Sequence, residues 1–126
     1  MDSHNAHNLT LASFGTVLYC RNWEECVEFY RKLLDCPISF RNEFFVEFLP
    51  SPGARLGLMN VSRTRKQVTA PESIVISLQV NSLDKALAFI RTISPDLPDP
   101  IDHPWGVRLV ELRDPDGRLV EVWEAS

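Results

Sequence analysis

No apolar run in the 126 residues approaches the roughly 20 consecutive apolar positions of a membrane-spanning helix. Residues 1–8 are polar, where a secretory leader would be basic and then apolar. These absences predict a cytoplasmic protein without a membrane partner. Basic charge is also short: 13 Lys and Arg stand against 17 Asp and Glu, for a formal net charge of −4, which offers no electrostatic footprint for nucleic acid. The short basic cluster of Arg63, Arg65 and Lys66 reads as a solvated connection. Cysteine is scarce and odd in number. Cys20, Cys26 and Cys36 have neither the close paired spacing of a zinc knot nor the even count of a disulfide framework, so they are expected as free thiols acting as small hydrophobes. Histidine is as scarce, with His4 and His7 in a terminus expected to be mobile and His103 in a loop.

What is present is regular patterning. Val107 to Leu112 and Leu119 to Trp123 are β-branched and Leu-rich, and the Asp114-Pro115-Asp116-Gly117 between them predicts a hairpin turn. Alternation puts Leu119, Glu121 and Trp123 on one face of the second strand and Val120 and Val122 on the other. Glu121 is thus a lone carboxylate between Leu and Trp. It is either a rim charge, paired with an Arg such as Arg55 or Arg118, or a functional group facing a cavity.

Taken in order, Leu11 to Cys20 reads as a strand with Gly15, Val17 and Tyr19 on one face and Phe14, Thr16, Leu18 and Cys20 on the other. Asn22 is a candidate N-cap and Glu25 its capping-box partner, opening a helix whose apolar stripe is Trp23, Cys26, Val27, Tyr30, Leu33 and Leu34. Asp35 closes the helix, and Pro37 forbids its continuation. Ile38 to Arg41 and Phe44 to Leu49 read as strands, with Glu47 a second lone carboxylate, and Pro50-Ser51-Pro52-Gly53 turns the chain into a strand over Arg55 to Val61. The second half restarts with a strand whose Ile74, Ile76, Leu78 and Val80 form one wholly apolar face. A helix capped by Ser82 or Asn81 and carrying Leu83, Ala86, Leu87, Ile90 and Ile93 follows it. Pro95, Pro98, Pro100 and Pro104 predict an irregular extended segment before the hairpin.

The two halves are therefore an internal repeat, with Leu18 over Leu78, Cys20 over Val80, Asn22 over Ser82 and Phe29 over Phe89. Arg55-Leu56-Gly57-Leu58 lies over Arg118-Leu119-Val120-Glu121 at a slightly different offset, which pairs Leu58 with Glu121. The predicted organisation is a flexible terminus over residues 1–10 and one domain over 11–126, made of module one (11–61), a linker (62–72) and module two (73–126). The fold class is α+β: two βαβββ modules whose curved mixed sheets surround a cleft, with helices on the outer faces.

Phe29-Tyr30-Arg31-Lys32-Leu33-Leu34 after the capped helix start, together with Trp105-Gly106-Val107-Arg108 and Asp114-Pro115-Asp116-Gly117-Arg118-Leu119-Val120-Glu121, resembles the glyoxalase/bleomycin-resistance/extradiol-dioxygenase (vicinal oxygen chelate) superfamily. The resemblance covers nearly the whole chain from Leu11. It implies paired βαβββ modules, commonly in homodimers, and in the enzymes a divalent metal (Zn, Ni, Mn or Fe) held by His, Gln or Glu from the first and last strands of both modules. Carried over position by position, it lands on Gly15, Leu58, Val75 and Glu121, of which Glu121 alone has a side chain able to bind a cation.

Catalytic sites need about three protein ligands, so the expectation is no metal cofactor and a protein that binds a small organic molecule in the cleft, as bleomycin-resistance-type members do. Tyr19, Phe45, Glu47, Ser77, Gln79, Trp105 and Trp123 are the candidate ligand-binding residues. Their mixture of aromatic surface and acid or amide groups suits a flat polar or cationic ligand. Glu121 is the candidate catalytic residue, a general base if burial among Leu119, Trp123 and Val75 raises its pKa. The alternative is a metal-dependent glyoxalase-like lyase or isomerase, or a dioxygenase, using Glu121 with His103 as a second ligand.

Overall fold

The computed structural model describes residues 12–64, 74–104 and 106–125. Expectations for His4, His7, Arg65, Lys66 and Trp105 lie outside the described residues. The chain runs β1 (Phe14–Cys20), α1 (Trp23–Leu34), β2 (Ile38–Arg41), β3 (Phe45–Phe48), β4 (Ala54–Asn60) and a 3-10 turn at Val61–Arg63. It then repeats as β5 (Val75–Gln79), α2 (Leu83–Ile93), β6 (Ile101–His103), β7 (Val107–Arg113) and β8 (Leu119–Ala125). Each βαβββ unit forms a four-stranded mixed sheet, ordered β1-β4-β3-β2 and β5-β8-β7-β6. In both, the first strand runs parallel to the last and the remaining pairs are antiparallel.

Period-two alternation decides which face of each sheet is covered. Leu18, Cys20, Val46, Phe48, Leu56 and Leu58 are buried with Cys26, Val27 and Tyr30 of α1, while Val110, Leu112, Val120 and Val122 are buried with Leu83, Leu87 and Ile90 of α2. All belong to one hydrophobic cluster, and each large side chain so buried contributes about 1.5–3 kcal/mol. Among the described residues, no helix lies on the opposite face of either sheet.

Three expectations are corrected. The stretch over Pro95 to Pro104 is not wholly irregular, because Ile101–His103 pairs with β7 as an edge strand. Pro100 and Pro104 flank that strand, where a missing N–H removes no ladder bond. The apolar face of β5 is only partly buried: Ile76, Leu78 and Val80 pack against the core while Ile74 is exposed, since β5 is an edge strand with β8 as its one ladder partner. The capping box at Asn22 does not form, and the Asn22 side chain makes no cap bond within its own helix.

The carboxylate of Asp116 replaces that box from the far end of the chain. Its Oδ2 accepts the Arg21 backbone N–H at 2.8 Å, and its Oδ1 accepts the backbone N–H and the side-chain amide of Asn22, each at 2.9 Å. A carboxylate at a helix start is also favoured by the helix dipole. Asp35 closes α1 as expected, in the left-handed region with its N–H on the Arg31 carbonyl, and Ser82 is the residue that caps α2, accepting the Lys85 N–H.

Asp116 belongs to a buried polar seam that joins the modules. In the predicted Asp114–Gly117 turn, Gly117 takes φ +85° and donates its N–H to the Asp114 carbonyl at 2.9 Å. Asp114 accepts the Arg118 guanidinium at 2.6 Å and the Tyr30 hydroxyl at 2.7 Å, while Arg118 reaches the Tyr19 carbonyl at 3.4 Å. Burial, reinforced by the neighbouring Asp114 charge, pushes the Tyr30 phenol well above its ordinary pKa. Burial opposes the charge on Arg118, but Asp114 outweighs it and holds the guanidinium protonated.

Candidate functional site

The uncovered face of module two holds Glu121 at its centre. Strand register sets Ser77 of β5 beside Glu121 and Glu111 of β7 on its other side, with Gln79, Trp123 and Leu109 forming the next row. Trp123 donates its indole N–H to Ser77 Oγ at 3.0 Å, and Ser77 donates its hydroxyl to Glu121 Oε1 at 3.0 Å. This relay uses the Ser77 oxygen as acceptor and donor at once and aims the carboxylate along the face. Ser77, Gln79 and Glu111 are exposed and Glu121 is half-exposed. Of the residues expected to enclose Glu121, Leu119 and Trp123 are half-exposed and Val75 is 45% exposed, so they do not bury its carboxylate.

Module one fills the same face with its own side chains. Glu47 accepts the Ser39 hydroxyl at 2.7 Å and pairs with Arg55 at 2.9 Å, and Arg55 Nε donates to Ser13 Oγ at 2.9 Å. The Ser39 hydrogen bond, then the Arg55 charge, hold the Glu47 carboxyl below its ordinary pKa. The Arg55 guanidinium lies over Gly15, where an added Cβ would meet it at 2.8 Å, and the Phe45 ring lies over Gly57, where a Cβ would meet it at 2.6 Å. Arg55 is thus committed to Glu47 and Arg118 to Asp114, so neither is the ion-pair partner anticipated for Glu121.

The repeat correspondence shifts by one residue in the last strands. Val17 pairs with Gly57 as Ser77 pairs with Glu121, so the counterpart of Glu121 is Gly57 rather than Leu58. Leu58 faces the helix and is fully buried, because a slip of one residue sends a side chain to the opposite face. The four positions that the resemblance points to are therefore Gly15, Gly57, Val75 and Glu121.

His103 cannot join Glu121 on one ion. It lies two strands away, opposite Val107, while Glu121 is opposite Glu111; that is about 10 Å across the sheet and about 13 Å along it. With one carboxylate among those four positions, the residues do not fit a divalent ion held by three protein ligands. Among the described residues, His, Cys, Asp and Glu donors gather as a set of three at Cys20, Cys26 and Asp116, on the helix side of the sheets. The sequence did not point to that set, because Asp116 lies far from both cysteines in the chain.

Of the candidate ligand-binding residues, Tyr19, Phe45 and Glu47 share the face of module one, and Ser77, Gln79 and Trp123 share that of module two. Two cavities have linings that do not include Glu121. One of about 630 Å³ is bounded by Leu34, Cys36, Pro37, Leu49, Pro52 and Arg55 at the end of module one. The other, of about 120 Å³, holds His103 and Glu111 beside Ile101 and Leu109.

A family model described as a glyoxalase-like domain matches residues 14–126. The fold is similar to that of a lactoylglutathione lyase from Agrobacterium tumefaciens (18% identity, TM-score 0.72, covering 93% of this chain and 96% of that one). It is also similar to a glyoxalase-related enzyme from Fulvimarina pelagi (19% identity, TM-score 0.74, 92% and 88% covered). A glyoxalase/bleomycin resistance protein from Catenulispora acidiphila has the same fold (20% identity, TM-score 0.70, 90% and 98% covered). No curated protein matches the chain in sequence.

Proposed function

The chain belongs to the glyoxalase-like domain family, and from that premise we propose that it binds a small organic molecule on its uncovered sheet faces without the family's full metal set. The observation that carries this is the Trp123–Ser77–Glu121 relay on the open face of module two. It presents an oriented carboxylate beside an indole and leaves Gln79 and Glu111 exposed around them. A carboxylate next to an aromatic edge suits a flat, polar or cationic ligand, held by charge pairing and stacking. Trp105 is proposed to close over the ligand, with Tyr19, Phe45 and Glu47 contributing from module one.

We further propose a cytoplasmic homodimer. The three free thiols suit a reducing compartment. Exposed Phe14, Phe40, Val75 and Ile101 leave apolar surface that a second chain would cover.

A thermal-shift screen of cationic and aromatic metabolites and antibiotics, followed by calorimetric titration of the best compound, tests the ligand. Glu121→Gln is expected to weaken binding at least tenfold, since a charge-assisted hydrogen bond contributes about 1.5–3 kcal/mol; unchanged affinity removes Glu121 from the site. Elemental analysis after exposure to Zn, Ni, Mn or Fe(II) tests the metal. Near-stoichiometric metal that disappears in Glu121→Ala would overturn the metal-free proposal and direct the work to lyase and dioxygenase assays.

A further inference from the structure

The Cys20, Cys26 and Asp116 set has no part in the open faces. Cys20 ends β1, Cys26 lies in the first half of α1, and Asp116 reaches them from the β7–β8 turn, so two donors come from module one and one from module two. Both Sγ atoms and a carboxylate oxygen lie within 4.8 Å of one another, and all three residues are buried. In a tetrahedral site two donors each about 2.3 Å from zinc stand about 3.8 Å apart, so donors that lie within 4.8 Å of one another need close in by no more than about 1 Å to share an ion.

Asp116 is already oriented for the task. The two Asn22 donors fill its Oδ1, while Oδ2 accepts the Arg21 N–H at 2.8 Å and has Arg118 at 3.7 Å. One hydrogen bond within bonding distance leaves Oδ2 a lone pair, and such outer contacts orient a metal ligand. The Cys20 thiol donates to the Leu18 carbonyl, 3.7 Å away, a contact that is lost when its proton leaves. Two sulfur donors and one carboxylate favour zinc or cadmium over magnesium or calcium.

We propose that Cys20, Cys26 and Asp116 bind one thiophilic divalent cation of the zinc class, a clip between the modules that is separate from Gly15, Gly57, Val75 and Glu121. The cation replaces the two thiol protons, which pass to solvent, and no electron is transferred. Without metal the Cys26 pKa is raised by its hydrogen bond with Cys20, by burial and by the charges of Asp114 and Asp116.

The test equilibrates reduced, chelator-stripped protein with Cd²⁺, and separately with Co²⁺, before gel filtration. One ion per chain should be retained, with thiolate-to-metal charge-transfer absorption, two protons released per ion and a melting temperature that rises with metal. Cys20→Ala and Cys26→Ala should each lose the band, while Cys36→Ser and Glu121→Gln keep it. No charge-transfer band in the wild type overturns the proposal, as does a band that persists in folded Cys20→Ala and vanishes in Cys36→Ser. If the core variants do not fold, native-state alkylation of the wild type with mass mapping decides: Cd²⁺ should slow labelling of Cys20 and Cys26 at least tenfold, and equal labelling with and without it rejects the site.

Discussion

The two modules share a topology and differ in what stands on their uncovered faces. In module one a Ser39, Glu47, Arg55 and Ser13 chain crosses the sheet, and Arg55 and Phe45 cover Gly15 and Gly57. In module two the equivalent positions are Val75 and Glu121, the first exposed and the second held by Ser77. On the first face Glu47 and Arg55 pair with each other; the second presents a half-exposed carboxylate that Ser77 holds by one oxygen. Duplication of a unit therefore does not duplicate a site. A glycine at the matching register admits a neighbour's side chain, so Arg55 and Phe45 stand over the positions that Val75 and Glu121 hold in module two.

The modules differ as much at their last turns, and the largest effect is expected there. The Asp114–Gly117 turn of module two inserts into module one, whereas Ser51, Pro52 and Gly53 of the corresponding turn are exposed. Asp114→Ala takes from the buried Arg118 guanidinium its nearest carboxylate, leaving it Asp116 at 3.7 Å, and should lower unfolding free energy by about 3–5 kcal/mol, measured by urea denaturation. Pro52→Ala should change it by no more than about 0.5 kcal/mol; equal losses from both would erase the asymmetry.

A smaller effect sharpens the comparison of faces. Gly57→Val puts methyl groups into the Phe45 ring and should cost about 1–3 kcal/mol, while Val75→Ala in module two should shift the melting point little, since that side chain is 45% exposed. A neutral Gly57→Val would mean that the Phe45 ring swings aside freely and that the face of module one opens on demand.

The smallest effect is electrostatic. Because Ser39 and Arg55 hold the folded Glu47 pKa below its ordinary 4.5, the group adds stability above that pH, and the contribution disappears as pH falls through the folded value. The pair is partly solvated, so the term is small. Glu47→Gln should slightly flatten the loss of urea resistance between neutral pH and pH values below 4.5, and an unaltered acid slope would show that the Glu47–Arg55 pair contributes nothing.

Much of the architecture was legible because it rests on local periodicity. Helical stripes, alternating strands and the Asp114-Pro115-Asp116-Gly117 turn are each written within one stretch of chain, and their recurrence exposed the paired βαβββ plan. Short β6 was hidden among prolines, since three residues hold too little pattern to stand out. Leu58 was matched to Glu121 because the two final strands align at an offset that sequence similarity resolves only to within a residue. In a strand that uncertainty exchanges the core for the open face. The acceptor at the start of α1 came from Asp116 instead of Glu25, and nothing near Asn22 announces a carboxylate so distant in the chain.

By itself the sequence determined the two helices, every strand but short β6, and the face that Glu121 shares with Leu119 and Trp123, because alternation and helical spacing depend on neighbours along the chain. Only the tertiary structure decided that Arg55 covers Gly15, that Ser77 and Trp123 orient Glu121, that His103 is remote from it, and that Cys20, Cys26 and Asp116 converge. Those relations depend on strand register and on how one module meets the other. Both are set by long-range packing, which no local pattern encodes.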